Sequence, residues 1–310
     1  MSWYPLQLPS LAGRRYLVTG ANAGLGFFTA ARLAGAGAHV VLSGRSPERL
    51  DAAAAAIRGA RPAASVETLV IDQSSLDSVD AGADRLLADA PLDGIVANAG
   101  MVHPPEVRLE SVDGNELVLA TNVLGHFALI GRLLPHLAPG ARVVSLGSLS
   151  TRLSTFRVDD LQLERGYDSW RAYAQSKIAS QAIAFELDRR LRAGGVPVAS
   201  IVGHPGYSIG GRTPTVPGVN EPSRGKRFAD SLQAGWAQGK HRGAEIPLHA
   251  LTAPGVESGQ FWGPKYLTRG TPTLQRPTRV SSDPVVGARV WAFAERATGH
   301  EFPVRGRADG

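Results

Sequence analysis

Six short apolar runs recur through the first two hundred residues: Arg15–Thr19, His39–Leu42, Val66–Ile71, Gly94–Ala97, Arg142–Leu146 and Val196–Val202. Between them lie longer segments, alanine-rich or with apolar residues at helical spacing: Gly24–Ala36, Asp51–Arg58, Leu76–Leu87, Glu116–Leu137 and Trp170–Leu191. Strands that read as continuous apolar runs belong to parallel sheets buried on both faces. The alanine-rich segments are helical by propensity. Joined by right-handed crossovers, these elements predict an α/β fold: a doubly wound parallel sheet with helices on both faces.

After Val202 the rhythm stops. His204–Gly243 is rich in Gly, Pro and basic residues, with one short helical stretch near Phe228–Trp236. A connection of that length in a compact domain is functional or disordered. Gly259–Trp262 supplies a last strand, Val285–Thr298 a terminal helix, and Arg305–Gly310 a frayed tail. Residues 1–310 are expected to form one domain, with 204–275 a substrate-binding lid and C-terminal extension inside it. Trp236, Phe261 and Trp262 make either an apolar pocket or plain core.

The chain has 310 residues, 43% of them hydrophobic, which suffices for a core without staples. It has no cysteine, so disulfides, zinc thiolates, iron–sulfur clusters and cysteine nucleophiles are excluded. The net charge is +6 and the eight histidines are scattered without ligand spacing, so no metal site is expected. The basic surplus is spread along the chain rather than gathered in a patch, and nucleic acid is not an expected partner. No uninterrupted apolar run reaches the ~18 residues of a membrane span. Met1–Ser10 lacks the pattern of a secretory signal. A cytoplasmic protein without a membrane anchor is the expectation.

The first strand runs into Thr19-Gly20-Ala21-Asn22-Ala23-Gly24-Leu25-Gly26. Gly20 permits a tight turn, Gly24 lets backbone amides approach a pyrophosphate, and Gly26 lets the next helix pack on the sheet. The helix N-terminus then offers free N–H groups to phosphates. A nucleotide with a free ribose 2′-hydroxyl calls for an acid after the second strand. Here Ser43-Gly44-Arg45-Ser46 has none, and a guanidinium suits a 2′-phosphate. NADP(H) is therefore favoured over NAD(H), unless Arg45 is only a solvated residue at the start of the next helix. Asp72 either accepts a bond from the adenine amino group or caps the following helix. Asn98 and Gly100 close the fourth strand in Ala97-Asn98-Ala99-Gly100.

Tyr173-Ala174-Gln175-Ser176-Lys177 opens a long helix, and a spacing of four puts Tyr173 and Lys177 on one face. A neighbouring ammonium is expected to pull the phenol down from ~10 toward useful acid–base strength. Ser148 follows the strand Arg142–Leu146 at the end where open α/β sheets bind ligands, whereas its competitor Ser145 lies mid-strand. Asn122 sits inside a helical pattern, where an amide needs partners.

The glycine turn, Asn98, Asn122, Ser148 and Tyr-x-x-x-Lys occur here in the order they take in the classical short-chain dehydrogenase/reductase family, which the sequence resembles over about residues 11–206. The resemblance implies a single-domain Rossmann fold and an enzyme interconverting a carbonyl and an alcohol with NADP(H). It implies Tyr173 as general acid/base and Ser148 as the group steadying the substrate oxygen. It further implies Lys177 on the nicotinamide ribose, and Asn122 anchoring a water that relays protons to Lys177. Gly20, Asn22, Gly24, Leu25, Gly26, Arg45, Asp72, Asn98, Gly100, Tyr173, Lys177, Pro205 and Gly206 would line the cofactor. The 25 positions between Ser148 and Tyr173 exceed the common family spacing and resemble the retinol-dehydrogenase-like and protochlorophyllide-reductase-like branches. The intervening Arg152–Ser169 is either a wall of the substrate pocket or a surface excursion. His103-Pro104-Pro105 lies near the expected substrate entrance. Family members often form homodimers or homotetramers. Two other readings stay open: a non-catalytic NADP-binding redox sensor, and a sugar-nucleotide epimerase or dehydratase of the extended branch.

Overall fold

In the computed structural model, residues 8–302 and 304 are described; the readings for Met1–Gln7 and for the tail Arg305–Gly310 lie outside them. The order begins β1 (Arg15–Thr19), α1 (Gly24–Gly35), β2 (His39–Gly44), α2 (Pro47–Ala60), β3 (Ser65–Val70), α3 (Leu76–Leu87) and β4 (Leu92–Ala97). Next comes a long helix made of α4 (Leu117–Leu119), a π-type turn (Ala120–Leu124) and α5 (Gly125–Leu133). It leads to β5 (Leu137–Leu146), α6 (Ser169–Ala193) and β6 (Ala199–Gly203).

The remainder is finer-grained: β7 (Ser208–Ile209), α7 (Arg224–Ser231), β8 (Gln238–Gly239), α8 (Lys240–Gly243), α9 (Glu245–Thr252), β9 (Phe261–Pro264), β10 (Pro272–Gln275), α10 (Arg279–Ser282) and α11 (Pro284–Thr298). The helical stretch expected at Phe228–Trp236 starts four residues earlier, where the Ser223 hydroxyl caps α7. Helix α9 and strand β10 were not read from the pattern.

Eight strands form one sheet in the order β10-β9-β6-β5-β4-β1-β2-β3, and only the β9–β10 pairing is antiparallel. The doubly wound arrangement arises because alternate residues of the central strands feed different layers. Leu17, Ile95 and Val143 join Phe127 and Trp291 on one face, while Val18, Val96 and Val144 join Phe27, Leu33 and Leu248 on the other. The segment Leu117–His136 is long and apolar enough to cross a membrane, with a hydropathy of 1.6, yet 83% of that window is buried inside the fold. Its apolar residues serve the core between sheet and α6.

Candidate active site

The turn after β1 is built with no spare room. Gly20 has φ +63°, and a Cβ there would stand 2.8 Å from Ala99 Cα. A Cβ on Gly26 would lie 2.4 Å from the Gly20 carbonyl oxygen. Asn98 ties this turn to the end of β4 by donating from Nδ2 to the Thr19 carbonyl (2.7 Å) and the Gly20 carbonyl (3.3 Å). The Thr19 hydroxyl accepts the amides of Asn98 and Ala99, both at 2.9 Å. Helix α1 then starts at Ala23 with no side-chain cap and no acid in its first turn, whereas Ser46, Ser75 and Asp168 cap α2, α3 and α6. Leaving those N–H groups uncapped is costly unless an anion or water takes them. Outside the turn, the nearest atoms over Gly24 are those of the Lys240 side chain. An uncapped helix start with an open glycine face and a nearby ammonium fits a dinucleotide pyrophosphate.

At the adenosine end, Arg45 is exposed just beyond β2. Arg49, unremarked in the sequence, reaches the Asn22 side-chain oxygen at 3.2 and 3.3 Å once that carboxamide is turned to face it. Asp72 does not cap α3. Its Oδ1 accepts the Ser74 amide (2.9 Å) and hydroxyl (2.7 Å), and the cap is Ser75, which accepts the Ser78 amide.

Ser148 lies two residues past β5, and its Oγ accepts the Ser150 amide at 3.2 Å. The Tyr173 hydroxyl donates to that Oγ at 3.3 Å. Lys177 is buried one turn further on and donates to the Leu146 carbonyl at 3.0 Å. The electrostatics depart from the sequence expectation. Burial pushes the Tyr173 phenol up from 10.0, only partly offset by Ser148, and burial brings Lys177 down to about 8. Desolvation disfavours charge on both groups, and the phenol's shift runs opposite to the sequence expectation.

Asn122 occupies the π-type turn, in which the Gly125 amide bonds the Ala120 carbonyl, five residues back. Its carboxamide is consumed locally: Oδ1 accepts the Met101 amide (2.7 Å) and Nδ2 donates to the Ser176 hydroxyl (2.9 Å). The Asn122 carbonyl accepts the Ser180 hydroxyl at 3.0 Å. A cavity of about 20 Å³ is lined in part by Asn122, His126, Ser145, Lys177 and Ser180. That volume is enough for one water beside polar partners.

His126 is buried and links this turn to the glycine turn. Its Nδ1 faces the Asn122 carbonyl (3.4 Å) and its Nε2 the Thr19 hydroxyl (2.9 Å). A carbonyl only accepts, so Nδ1 carries the proton and Nε2 accepts from Thr19. Burial lowers His126 to about 4, which keeps this neutral tautomer.

The segment between Ser148 and Tyr173 is not a loose excursion. Gln175, inside the Tyr-x-x-x-Lys stretch and fully buried, accepts the Arg157 amide (3.0 Å) and donates to the Asp160 carbonyl (2.8 Å). Tyr167 donates to the Pro105 carbonyl (3.1 Å), which joins the segment to His103-Pro104-Pro105. Beyond β6, His204 is buried, stacks on Phe261 and meets Gln275 of β10 at 3.0 Å. Gly206 has φ +68°, and a Cβ there would clash with the Thr268 carbonyl at 2.2 Å, so this bend is fixed by the 264–268 loop. Phe261 is core, while Trp236 is exposed. Contacts of this kind join residues far apart in sequence, and neither His126 nor Gln175 carries a motif that would reveal them.

The family pattern for short chain dehydrogenase matches residues 14–208. The chain belongs to the short-chain dehydrogenase/reductase family. Among relatives of this family, polyprenol dehydrogenase of Mus musculus is 35% identical over 95% of this chain and 87% of its own length. Retinol dehydrogenase 13 of Homo sapiens is 36% identical over the same shares, 95% and 87%. These relatives support the retinol-dehydrogenase-like branch. An uncharacterized protein from Mycobacterium paratuberculosis has a solved structure with TM-score 0.80, 33% identity, and coverage of 98% of this chain and 100% of that one. A Burkholderia cenocepacia short chain dehydrogenase, solved in complex with NADP, shares the fold at TM-score 0.63 and 24% identity over 82% of this chain and 97% of its own. The protein is thus an oxidoreductase of the short-chain family with a Rossmann fold.

Proposed function

We propose that this short-chain dehydrogenase/reductase interconverts an alcohol and a carbonyl with NADP(H), using Tyr173 as general acid and base. The observation that carries the reading is the Tyr173–Ser148 hydroxyl pair, 3.3 Å apart at the C-terminal end of the sheet, with Lys177 one helical turn away. The uncapped start of α1 and the glycine turn would hold the diphosphate, and Arg45, with Arg49 beside it, the 2′-phosphate. When bound, the nicotinamide supplies or takes up the hydride. The protein's part is orientation and proton handling. The two hydroxyls converge on one point, where a substrate oxygen is held by Ser148 and exchanges its proton with Tyr173. The water-sized cavity lined in part by Lys177 and Asn122 supports a route for restoring that proton.

The pKa directions set a pH signature. Burial raises Tyr173, so the phenol keeps its proton at neutral pH and serves as an acid for carbonyl reduction. Alcohol oxidation needs the phenolate, so its rate climbs with pH through the alkaline range while reduction falls there. Two relatives named for retinol and polyprenol support an apolar primary alcohol or its aldehyde as substrate. Exposed Leu153 and Trp170 flank Ser148 and Tyr173 in sequence and fit the same class. The test is nucleotide oxidation with a panel of retinoid, isoprenoid and short aldehydes, with Tyr173→Phe as control. Turnover should fall by about 10²–10⁴-fold in the variant with NADPH affinity retained; full activity in Tyr173→Phe sinks the mechanism. Nucleotide binding without turnover on any carbonyl would favour the sensor reading.

A further inference from the structure

The segment after β6 brings one ammonium to the glycine turn. Lys240 begins α8, and its Cδ and Nζ lie 3.4 and 3.6 Å from the position a Gly24 Cβ would take. Its backbone is anchored rather than loose. The Lys240 amide donates to the Thr213 hydroxyl (2.8 Å), and Gly239 before it pairs with Ile209 in the β7–β8 ladder. At the other end of α8, a Cβ on Gly243 would stand 2.7 Å from Leu25 and 2.2 Å from the Ser208 hydroxyl, and His241 packs edge-on to Phe28 of α1. The 208–243 segment is therefore docked on the start of α1 through side chains and backbone alike.

The ammonium itself is half-buried and, among the described residues, has no hydrogen-bond acceptor and no ion-pair partner. The carboxylate that might have served it is committed elsewhere. Asp230 pairs with Lys226 at 3.3 Å and accepts the Gly211 amide at 2.6 Å. A largely desolvated cation that feels Asp230 only at a distance, and shares it with Lys226, is expensive to keep, and here it lies over Gly24 of the glycine turn. Burial, and after it the neighbouring Lys226, lower the Lys240 ammonium from its ordinary range, Asp230 offsets them in part, and a bound anion would act in the same direction as Asp230.

We propose that Lys240 is a ligand of the dinucleotide's diphosphate, closing on it from the side opposite the glycine turn. One end of the 204–275 region, expected to be a substrate-binding lid and C-terminal extension, would then grip cofactor. The inference rests on the nucleotide-binding reading above. It predicts a contact blind to the 2′-phosphate, so NADPH and NADH should depend on it equally, in contrast to Arg45.

The experiment is titration of the full-length protein with NADPH and with NADH, followed by tryptophan fluorescence. Wild type, Lys240→Met, Lys240→Arg and Arg45→Ala are compared. Lys240→Met keeps the aliphatic packing and should weaken both nucleotides by the same factor, about 10- to 100-fold for one charged hydrogen bond. Lys240→Arg should stay within about threefold of wild type, and Arg45→Ala should change the NADPH/NADH ratio. Wild-type affinity in Lys240→Met overturns the proposal while leaving the nucleotide reading intact. Equal loss in Lys240→Met and Lys240→Arg, with a lowered melting temperature of the nucleotide-free protein, would mark a packing role and also overturn it. If wild type binds neither nucleotide, the cofactor reading fails first and the proposal with it.

Discussion

Through β6 the strands pair in parallel over three to six residues each, whereas beyond Gly203 the pairings cover two residues, or four in the single antiparallel ladder. The first region holds its shape by repeating one pattern, and the candidate site gathers at its strand ends and the helices that follow them. The second holds its shape by individual contacts: His204 on Gln275, Asp230 on Gly211, Thr213 on the Lys240 amide. A pattern is visible in a sequence and an isolated long-range contact is not. The comparison teaches where function can hide. Lys240, half-buried over Gly24, belongs to the second kind of structure while lying against the first.

Substitutions that press on this contrast rank by expected size. Gly26→Ala should be the most severe, because its Cβ would sit 2.4 Å from the Gly20 carbonyl and 2.5 Å from Asn98 Nδ2, backbone and a committed amide. A cost of about 3 kcal/mol or more is expected, since neither neighbour can yield; a urea denaturation midpoint matching wild type would contradict it. A similar size is expected from acid. His126 in the first region and His204 in the second both have folded pKa values lowered to about 4 from 6.5. Between those values the unfolded chain binds protons that the folded chain refuses, so stability is full above pH 6.5 and drains as pH falls toward 4. Each histidine contributes about 3 kcal/mol to that loss. His126→Asn and His204→Asn should each flatten the slope of stability against pH in that window, and an unchanged slope in either would show that its histidine is not held neutral.

Smaller effects follow. Arg45→Ala should weaken NADPH about tenfold with NADH unmoved, measured by direct titration; equal loss for both nucleotides would place Arg45 outside the 2′-phosphate site. The least is expected from Gly225→Ala in α7, where an added Cβ meets nothing within 4 Å. Replacing glycine in a helix should raise stability by about 0.5–1 kcal/mol. A loss instead would mean that α7 packs more tightly than the irregular second region implies.

Much of the fold and site was legible from residue order, and the misses share a cause. The six parallel strands and the helices between them follow from apolar runs, and Ser148 with Tyr173 from a strand end and a helical spacing. Strand β10 was missed because Pro272–Gln275 is polar and half exposed, being an edge strand with no apolar run to betray it. The phenol's direction of shift was missed because spacing reports proximity but not burial. Gln175 and His126 were missed because a buried amide or imidazole is recognised by its partners, and Asp160 and Thr19 lie 15 and 107 positions away. Arg49, exposed on α2, was missed because nothing in the sequence ties it to Asn22.

The wide turn at Ala120–Leu124 stores one more residue than an ordinary helical path between its ends needs. Removing that residue would let the flanking turns close into an ordinary helix, with Val118, Leu119 and Phe127 keeping their phase. What would be lost is the register of Asn122, whose carboxamide now reaches Met101 and Ser176 and whose carbonyl takes the Ser180 hydroxyl. The extra residue therefore serves the contacts of Asn122 rather than the core, so a one-residue deletion there should disturb those contacts more than it disturbs the packing of the helix.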